Sequence, residues 1–292
     1  MSKKVLIITG AGGWLGYSLI KYLIEQIDNK YFYKIILCSQ QNNGNKIIKY
    51  VNYLNCKKSI SFEYCFGDLN QDCFYRKIKN LLINEDQLNI IHTAAVIHPI
   101  SRSEFIKVNY FGLKKFVSYM NHYQINKFIY ISSNSPFGFN KNCSKFDEKT
   151  NYAPLGFYGI SKARAEKFLL KKFGKSTLKI IRAPWFHGIN MPDRQKLFLK
   201  KAAFGKFPLI NNGYNKRSIV NTLDLSIAAF NLIQRDSSHN IYFSTFYFFN
   251  IYSKLGFISF FSLFFKVKFN YILFSKMTIT FRTLPSFIFL MF

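Results

Sequence analysis

The sequence predicts an α/β fold with a doubly wound parallel sheet. Its 292 residues suffice to bury a sizeable core. Short apolar segments of strand length alternate with segments whose apolar residues recur every three or four positions, as expected when strands and helices alternate. Near the N-terminus, one such strand runs into a glycine-rich turn and a helix, which is how many such sheets begin.

That opening stretch consists of a strand at 5–9, three glycines spaced G-x-x-G-x-x-G, and a periodic helix. In this arrangement the first glycine permits a tight turn, the second lets the backbone approach a pyrophosphate, and the third lets helix and strand pack closely. The helix N-terminus faces the anion. The candidate pyrophosphate-binding residues are therefore Gly10, Gly13, Trp14, Leu15 and Gly16.

The second strand, at 34–38, ends at Ser39, where such a fold meets the adenosine ribose. An acidic residue here favours NAD and a basic one favours NADP, but the expected place holds neither. Lys46 is close enough in sequence to reach a 2′-phosphate, but a solvated lysine is the simpler explanation. The choice between NAD and NADP stays open at this point.

The third strand, at 61–66, is followed by Asp68 and Leu69. An aspartate in this place is commonly a helix cap, and it is also placed to hold the adenine amine. The fourth strand, at 88–92, is followed by Ala94 and Ala95, whose small side chains leave room for a cofactor. Its last residue, His92, is interpreted as a structural residue.

A helix is predicted at 103–122, and Asn109 lies inside it. Because asparagine is a poor helix former, its amide is expected either to bond a neighbouring loop or to be exposed.

The fifth strand, at 127–131, leads to Ser133, and a later helix opens with Tyr158 and Lys162. Residues four apart share a helical face, so the tyrosine and the lysine are neighbours. An ammonium beside a phenol stabilises the phenolate and lowers its pKa, and a serine hydroxyl can hold a substrate oxygen. Together they suit proton exchange with a carbinol or carbonyl while a nicotinamide exchanges a hydride.

This combination resembles the extended short-chain dehydrogenase/reductase superfamily, in its NAD-dependent epimerase/dehydratase and hydroxysteroid-dehydrogenase-like branch. The resemblance covers residues 3 to about 242. The motifs that carry it are the glycine turn, Gly67 to Leu69, His92 to Ala95, Asn109 with Gly112, Ser133 with Gly138, Tyr158 with Lys162, Arg182 to Pro184, and Val220 to Asp224.

The resemblance implies a Rossmann-type sheet, NAD or NADP as cofactor, and a site without metal. Ser133 would be the catalytic, substrate-binding serine, Tyr158 the acid/base, and Lys162 the residue that binds the nicotinamide ribose and lowers the tyrosine pKa. The implied cofactor-binding set is Gly10, Gly13, Trp14, Leu15, Gly16, Ser39, Asp68, Leu69, Ala94, Ala95, Asn109, Tyr158, Lys162 and Pro184.

Some positions depart from the family pattern. Sugar-nucleotide 4,6-dehydratases carry an Asp-Glu pair directly after the catalytic residue, whereas this chain has Asn134 and Ser135, which counts against water elimination. Phe137 replaces the usual tyrosine and is interpreted as a packing change. Arg217 is the best candidate for a substrate phosphate contact, because a guanidinium fork suits phosphate, with a solvated arginine as the alternative. Asp224 is predicted to cap the following helix.

The predicted domains are a dinucleotide-binding domain at 1–183, a small and apparently incomplete substrate-binding part at 184–242, and an atypical tail at 243–292. From 241 onward there is no Asp, Glu, His, Ala or Cys, but 15 of the 34 phenylalanines. A frameshift product, a membrane-associating tail and a divergent core all remain open for it. No uncharged run reaches the 18–20 or so residues that span a bilayer.

Composition bounds the function further. The net charge of +27 allows an anionic partner, but the lysines are scattered and biased codon usage explains them more simply than nucleic-acid binding. Five cysteines without a C-x-x-C pair indicate a reduced, cytoplasmic protein without a disulfide framework or structural zinc.

The leading functional prediction is an NAD(P)-dependent oxidoreductase or epimerase that acts on a hydroxyl or keto group of a nucleotide-sugar-like small molecule. The family resemblance suggests a homodimer, with the oligomeric state left open. A steroid- or flavonol-type alcohol dehydrogenase is a second enzyme hypothesis. A non-catalytic nucleotide- or RNA-binding relative and a decayed gene product are the alternatives outside enzymology.

Overall fold

A computed structural model of the chain describes residues 4–27, 31–55, 61–83, 87–138, 150–188, 190–204, 217–235, 239, 241–243 and 247–249. The chain divides into two compact units. The first comprises residues 1–198 and 217–248 and contains the site discussed below. The second comprises 199–216 and 249–292, of which 199–204 and 249 are described.

The strands follow one another in the order that the sequence predicts, with a few additions. They are β1 Lys4–Thr9, β2 Lys34–Ser39, β3 Phe62–Phe66, β4 Gln87–His92, β5 Gln124–Ser133, β6 Leu178–Ala183, β7 Trp185–His187, β8 Arg217–Asn221, β9 Ile241–Phe243 and β10 Tyr247–Phe249. Within the described residues, seven of them form a sheet in the order β3-β2-β1-β4-β5-β6-β9, with every pair parallel. A smaller sheet has the order β10-β8-β7.

Helices cover both faces of the large sheet. They are α1 Trp14–Gln26, α2 Gly44–Asn55, α3 Asp72–Lys79, α4 Arg102–Ile106, α5 Leu113–Met120, α6 Gly156–Lys172, α7 Asp193–Ala203 and α8 Thr222–Gln234. On one face the core unites the first and last helices, for example Leu19 with Phe230. On the other it unites α3, α5 and α6, for example Phe74, Phe116 and Leu169. The doubly wound α/β prediction is therefore confirmed.

Two local predictions differ from the structure. The single helix expected at 103–122 is interrupted by a π-helical turn, Lys107–Gly112, between α4 and α5. The prediction that Asp224 caps α8 is wrong, because Asn221 holds the cap position and its Oδ1 accepts from the Leu223 N–H at 2.9 Å. A capping side chain must precede the first helical residue, whereas Asp224 lies inside the first turn.

Two further predictions fall mainly on residues that are not described. Arg217 begins β8, but its side chain lies outside the described part of the chain, and so does most of the 243–292 tail. No helix among the described residues is long and apolar enough to cross a membrane.

Candidate active site

The carboxyl ends of β1 and β4 lie where the strand order of the large sheet reverses. Crevices for ligands form at this point in open α/β sheets. Hydrogen bonds join the two ends here: the Thr93 hydroxyl donates to the Thr9 carbonyl at 2.7 Å, and the Ala94 N–H lies 3.4 Å from the Thr9 hydroxyl. These hydrogen bonds hold the ends of β1 and β4 together. The predicted residues Ala94 and Ala95 follow directly and are half-buried.

The turn after β1 requires glycine at two positions. Gly10 has a φ of +72°, and a Cβ there would lie 2.7 Å from the Ala94 nitrogen. Gly16 lies in α1, and its Cβ would overlap the carbonyl oxygens of Gly10 and Ala11. The missing side chains thus let the helix, the turn and the β4 loop approach closely at the place predicted for a pyrophosphate.

The N-terminus of α1 suits an anion. Gly13 stands at the cap position without a capping side chain, and the first turn carries no acidic residue. First-turn N–H groups have no carbonyl partner within a helix, so they can donate to phosphate oxygens. The Trp14 ring meets Phe186 of β7 edge to face, with the ring centroids 6.0 Å apart, which places this tryptophan between the turn and the smaller sheet.

The residues predicted to bind the adenosine part of the dinucleotide are also closely packed. The Ser39 carbonyl accepts from the Gly67 N–H at 2.8 Å, joining the ends of β2 and β3. A Cβ on Gly12 would lie 2.5 Å from the Ser39 hydroxyl, so Gly12 is a constrained position that the sequence analysis left out. Asp68 uses Oδ1 to accept from the Asn70 backbone and side-chain N–H groups at 2.8 and 2.9 Å. That turn holds the predicted adenine-binding residues, Asp68 and the buried Leu69, beside β3.

His92 is a structural residue beneath this crevice. Its Nδ1 lies 3.0 Å from the Thr9 hydroxyl, and its ring stacks near Phe128 and Tyr130. Burial lowers the pKa of His92 to about 3, with the nearby Lys162 charge acting in the same direction. The imidazole is therefore neutral at physiological pH.

This neutral histidine predicts a loss of stability in acid. In the unfolded chain His92 binds a proton below its ordinary pKa of about 6.5, whereas in the folded chain it stays neutral down to about pH 3. The free energy of unfolding therefore decreases as the pH is lowered from about 6.5 towards about 3. We expect the wild type to lose about 2 kcal/mol more than His92→Asn between pH 6.5 and 5 in urea unfolding. His187 is present in both proteins and contributes equally to both. Equal pH dependence of the free energy of unfolding in wild type and His92→Asn would therefore contradict the prediction.

Asn109 ties three parts of the site together. From the π-helical turn, its Oδ1 accepts from the Val96 N–H at 2.7 Å, and its Nδ2 donates to the Val96 carbonyl and the Ser161 hydroxyl, both at 3.1 Å. The Ser161 hydroxyl in turn donates to the Tyr158 carbonyl at 2.8 Å. Asn109 thus positions the loop after β4 against the start of α6, the first of the two arrangements expected from its sequence.

Ser133, Tyr158 and Lys162 meet beside the crevice. The Ser133 hydroxyl lies within hydrogen-bonding reach of the Tyr158 hydroxyl and 3.0 Å from the Ser135 hydroxyl. The Lys162 ammonium, on the same helix as Tyr158, donates to the Ile131 carbonyl at 2.9 Å. These side chains come from the end of β5 and from α6, so the sheet and the helix together assemble the predicted catalytic set.

Burial controls both titrating groups. It raises the pKa of Tyr158 to about 12, and the hydrogen bond with Ser133 opposes this rise. It lowers the pKa of Lys162 to about 8, and the negative charge of Glu166 opposes that fall. In the protein alone the pKa of Tyr158 is therefore raised by burial, contrary to the lowering that was expected from Lys162.

The segment between Ser133 and Tyr158 is anchored at both ends. The Ala153 N–H donates to the Pro136 carbonyl at 3.0 Å, and Gly138, with a φ of +67°, packs directly against Ala153. On the other side, the Asn134 N–H donates to the Ala183 carbonyl at 3.2 Å, just before the buried Pro184. Hydrogen bonds therefore hold the residues just after Ser133 to the residues just before α6 and to the end of β6.

A buried polar cluster behind the site was missed by the sequence analysis. Glu166 is fully buried on α6 and forms an ion pair with Arg182 of β6, whose Nη2 lies 2.8 Å from Oε2. The Ser132 hydroxyl donates to Oε1, and the Tyr152 hydroxyl donates to Oε2 at 2.8 Å. The Arg182 guanidinium also lies over the Phe137 ring, 4.4 Å from its centroid. Phenylalanine at this position packs the cluster, consistent with the packing change inferred for it.

Comparison with known proteins identifies the family. Residues 6–242 match the NAD dependent epimerase/dehydratase family. The chain belongs to this family. Its members are NAD-dependent, so the predicted dinucleotide cofactor is confirmed, with NAD as the cofactor of the family. The crevice, the glycine turn and the α1 N-terminus described above fit that dinucleotide.

Two relatives show what this epimerase/dehydratase chain is similar to in sequence. An uncharacterised protein of Sinorhizobium fredii is 30% identical over 230 residues, covering 77% of this chain and 63% of its own length. The 3 beta-hydroxysteroid dehydrogenase/Delta 5-->4-isomerase of vaccinia virus (strain Copenhagen) is 30% identical over 175 residues, covering 57% of this chain and 46% of its own. This chain thus spans about half to two thirds of these relatives.

Solved structures share the fold. UDP-glucose 4-epimerase from Bifidobacterium longum, in complex with NAD+ and UDP, matches with a TM-score of 0.67 and 17% identity, covering 89% of this chain and 82% of that one. At this level of identity the likeness supports the Rossmann-type architecture only.

Proposed function

We propose that this chain is an NAD-dependent oxidoreductase or epimerase that acts on a carbinol or keto group of a nucleotide-sugar-like substrate. The placement of Ser133 at the end of β5, with Tyr158 and Lys162 on the adjoining α6, in a sheet that also carries the glycine turn after β1, carries this proposal. Bound NAD would supply hydride acceptance and donation next to these side chains. Family membership and a UDP-bound structural relative support the substrate class.

Tyr158 has the proton-transfer role. As a substrate carbinol loses hydride and becomes a carbonyl, its hydroxyl proton must leave, and Tyr158 takes it in the oxidation direction and returns it in reduction. Ser133 holds the substrate oxygen, because its hydroxyl already lies within reach of the tyrosine. Lys162 retains two N–H groups beyond its bond to Ile131, and these suit ribose hydroxyls.

The residues after Ser133 separate epimerisation from dehydration. Elimination of water needs an acid and a base next to the reacting carbons, and the corresponding residues here are Asn134 and Ser135. The Ser133 hydroxyl donates to the Ser135 hydroxyl at 3.0 Å and accepts from the Ser135 N–H at 3.2 Å, so Ser135 orients Ser133. We therefore favour reversible oxidation of the substrate, either net or internal, over water loss.

A steroid-type alcohol dehydrogenase is the second candidate. The viral hydroxysteroid dehydrogenase relative favours it, and so do exposed apolar side chains on the two segments that flank Tyr158. These are Ile97 and Ile100 after β4, and Leu155 and Phe157 next to the start of α6. A substrate without phosphate would use this surface.

Cofactor binding and substrate oxidation test the proposal in sequence. The Trp185→Phe variant would be titrated with NADH and with NADPH, and binding would be monitored by the fluorescence quenching of the remaining Trp14. Binding should be saturable, with a higher affinity for NADH than for NADPH. UDP-hexoses and 3β-hydroxysteroids would then be compared: sugar interconversion without net NADH indicates epimerisation, and stoichiometric NADH indicates net oxidation. Absence of dinucleotide binding by folded protein would overturn the proposal and restore the non-catalytic or decayed alternatives.

A further inference from the structure

We propose that Glu166 is the positioning residue of this site: it fixes the segments that carry Ser133, Tyr158 and Lys162 relative to one another, and it presents its carboxylate on the face of α6 that carries Lys162. The inference rests on the proposed function for its catalytic meaning. Glu166 is fully buried on α6, so it acts through its neighbours and not as a reacting group.

The hydrogen bonds of Glu166 reach each supporting segment. Through the Ser132 hydroxyl it holds the end of β5, one residue before Ser133. Through Tyr152 it holds the chain that leads into α6 and Tyr158. Through Arg182, whose Nε donates at 3.0 Å and Nη2 at 2.8 Å, it holds β6. One side chain thus joins the strand end, the approach to α6 and the neighbouring strand.

Its charge acts on Lys162 as well. The two residues are four apart on α6, so their side chains lie on the same face. Lys162 is 3% exposed, with its ammonium over the Tyr130 ring at 4.7 Å from the centroid and bonded to the neutral Ile131 carbonyl. Burial favours the neutral amine, and the Glu166 carboxylate favours the ammonium. The carboxylate therefore opposes the loss of the charge that would bind the ribose.

Stability does not explain the cluster well. A buried ion pair costs desolvation that its attraction only roughly offsets, and apolar replacements of such pairs are often as stable. Arg182 is 2% exposed and Glu166 is fully buried, so the pair loses its hydration on folding. The two residues lie on α6, which carries Tyr158 and Lys162, and on β6, which pairs with the strand that carries Ser133. A role in organising the site accounts for this placement.

The direct test is the titration of Lys162 in the unliganded chain. Lysine labelled with ¹³C at Cε would be followed by NMR from pH 6 to 11, with the Lys162 signal assigned by its loss in Lys162→Met. Because the carboxylate raises the lysine pKa, Glu166→Gln should lower it below the wild-type value. Tyr152→Phe, which removes one hydrogen bond but no charge, is the matched control and should leave it nearly unchanged.

Two measures keep the test decisive. Glu166→Gln leaves Arg182 without its carboxylate, so the double variant Glu166→Gln/Arg182→Met removes both charges. Loss of the guanidinium charge by itself favours the lysine ammonium, so a lowering that persists in this folded double variant comes from the missing carboxylate. NADH affinity of the variants should fall about tenfold at pH 8 and recover towards wild type at pH 6, where Lys162 regains its proton. A merely structural role would lower affinity equally at both pH values.

The outcomes are distinguishable. An unchanged Lys162 titration in both Glu166 variants, or a loss of affinity independent of pH, would overturn the inference. Failure of the wild type to bind NADH would instead overturn the proposed function. The lysine titration needs no cofactor, so it still measures the coupling between Glu166 and Lys162 in that case.

Discussion

Tyr158→Phe should lower turnover at least about 10³-fold while leaving NADH affinity within a few-fold of wild type. The substitution removes the hydroxyl that exchanges the substrate proton and keeps the ring, which packs against Phe105 with centroids 5.7 Å apart. Because α6 and Lys162 are unchanged, the cofactor cradle should remain. Steady-state rates on the substrate that the comparison of UDP-hexoses and 3β-hydroxysteroids selects, together with the NADH titration, measure the two effects separately.

Tyr53→Phe is the matched control, since Tyr53 is 77% exposed on α2 and should tolerate the same change without effect. Turnover of Tyr158→Phe within tenfold of wild type would mean that another group moves the proton. A parallel collapse of NADH affinity would instead mean that the tyrosine serves binding more than chemistry.

Gly16→Ala should weaken NADH binding at least 100-fold and lower the free energy of unfolding by about 2 kcal/mol. Alanine is ordinarily favoured over glycine inside a helix by about 1 kcal/mol, so propensity alone predicts the opposite sign. The added Cβ would overlap the carbonyls of Gly10 and Ala11, which are backbone atoms and cannot rotate away. The helix must therefore retreat from the turn, and its N-terminal N–H groups lose their distance to the pyrophosphate.

Gly174→Ala is the control for this second substitution. Its Cβ would have only the Ser176 hydroxyl near it, at 4.0 Å, far from the crevice. Urea unfolding and NADH titration of both variants give the comparison. Gly16→Ala with wild-type affinity would show that the glycine is not what brings the helix to the cofactor.

The sequence was sufficient to predict the layers of the fold and the parts of the site that depend on short motifs. Gly10 and Gly16 are recognisable because a glycine repeat between a strand and a helix is typical of a phosphate-binding turn. Tyr158 and Lys162 are recognisable because helical geometry places residues four apart on one face. Their assigned roles remain predictions, whereas the fold class and the dinucleotide cofactor are confirmed.

The missed features depend on contacts between distant segments. Lys162 and Glu166 resemble an ordinary solvated pair, because nothing local shows that Arg182 of β6 and Ser132 of β5 enclose the carboxylate. The π-helical turn could not be predicted because the apolar spacing continues through it. Gly12 stood outside the glycine pattern, and its constraint comes from Ser39, a residue of the next strand.

The anchoring of the chain near Gly138 and Ala153 has a consequence for engineering. The Ala153–Pro136 hydrogen bond fixes both ends of the intervening segment to each other, just outside Ser133 and before Tyr158. Because this bond lies between Ser133 and Tyr158, designed changes of substrate preference should leave Pro136 and Ala153 in place.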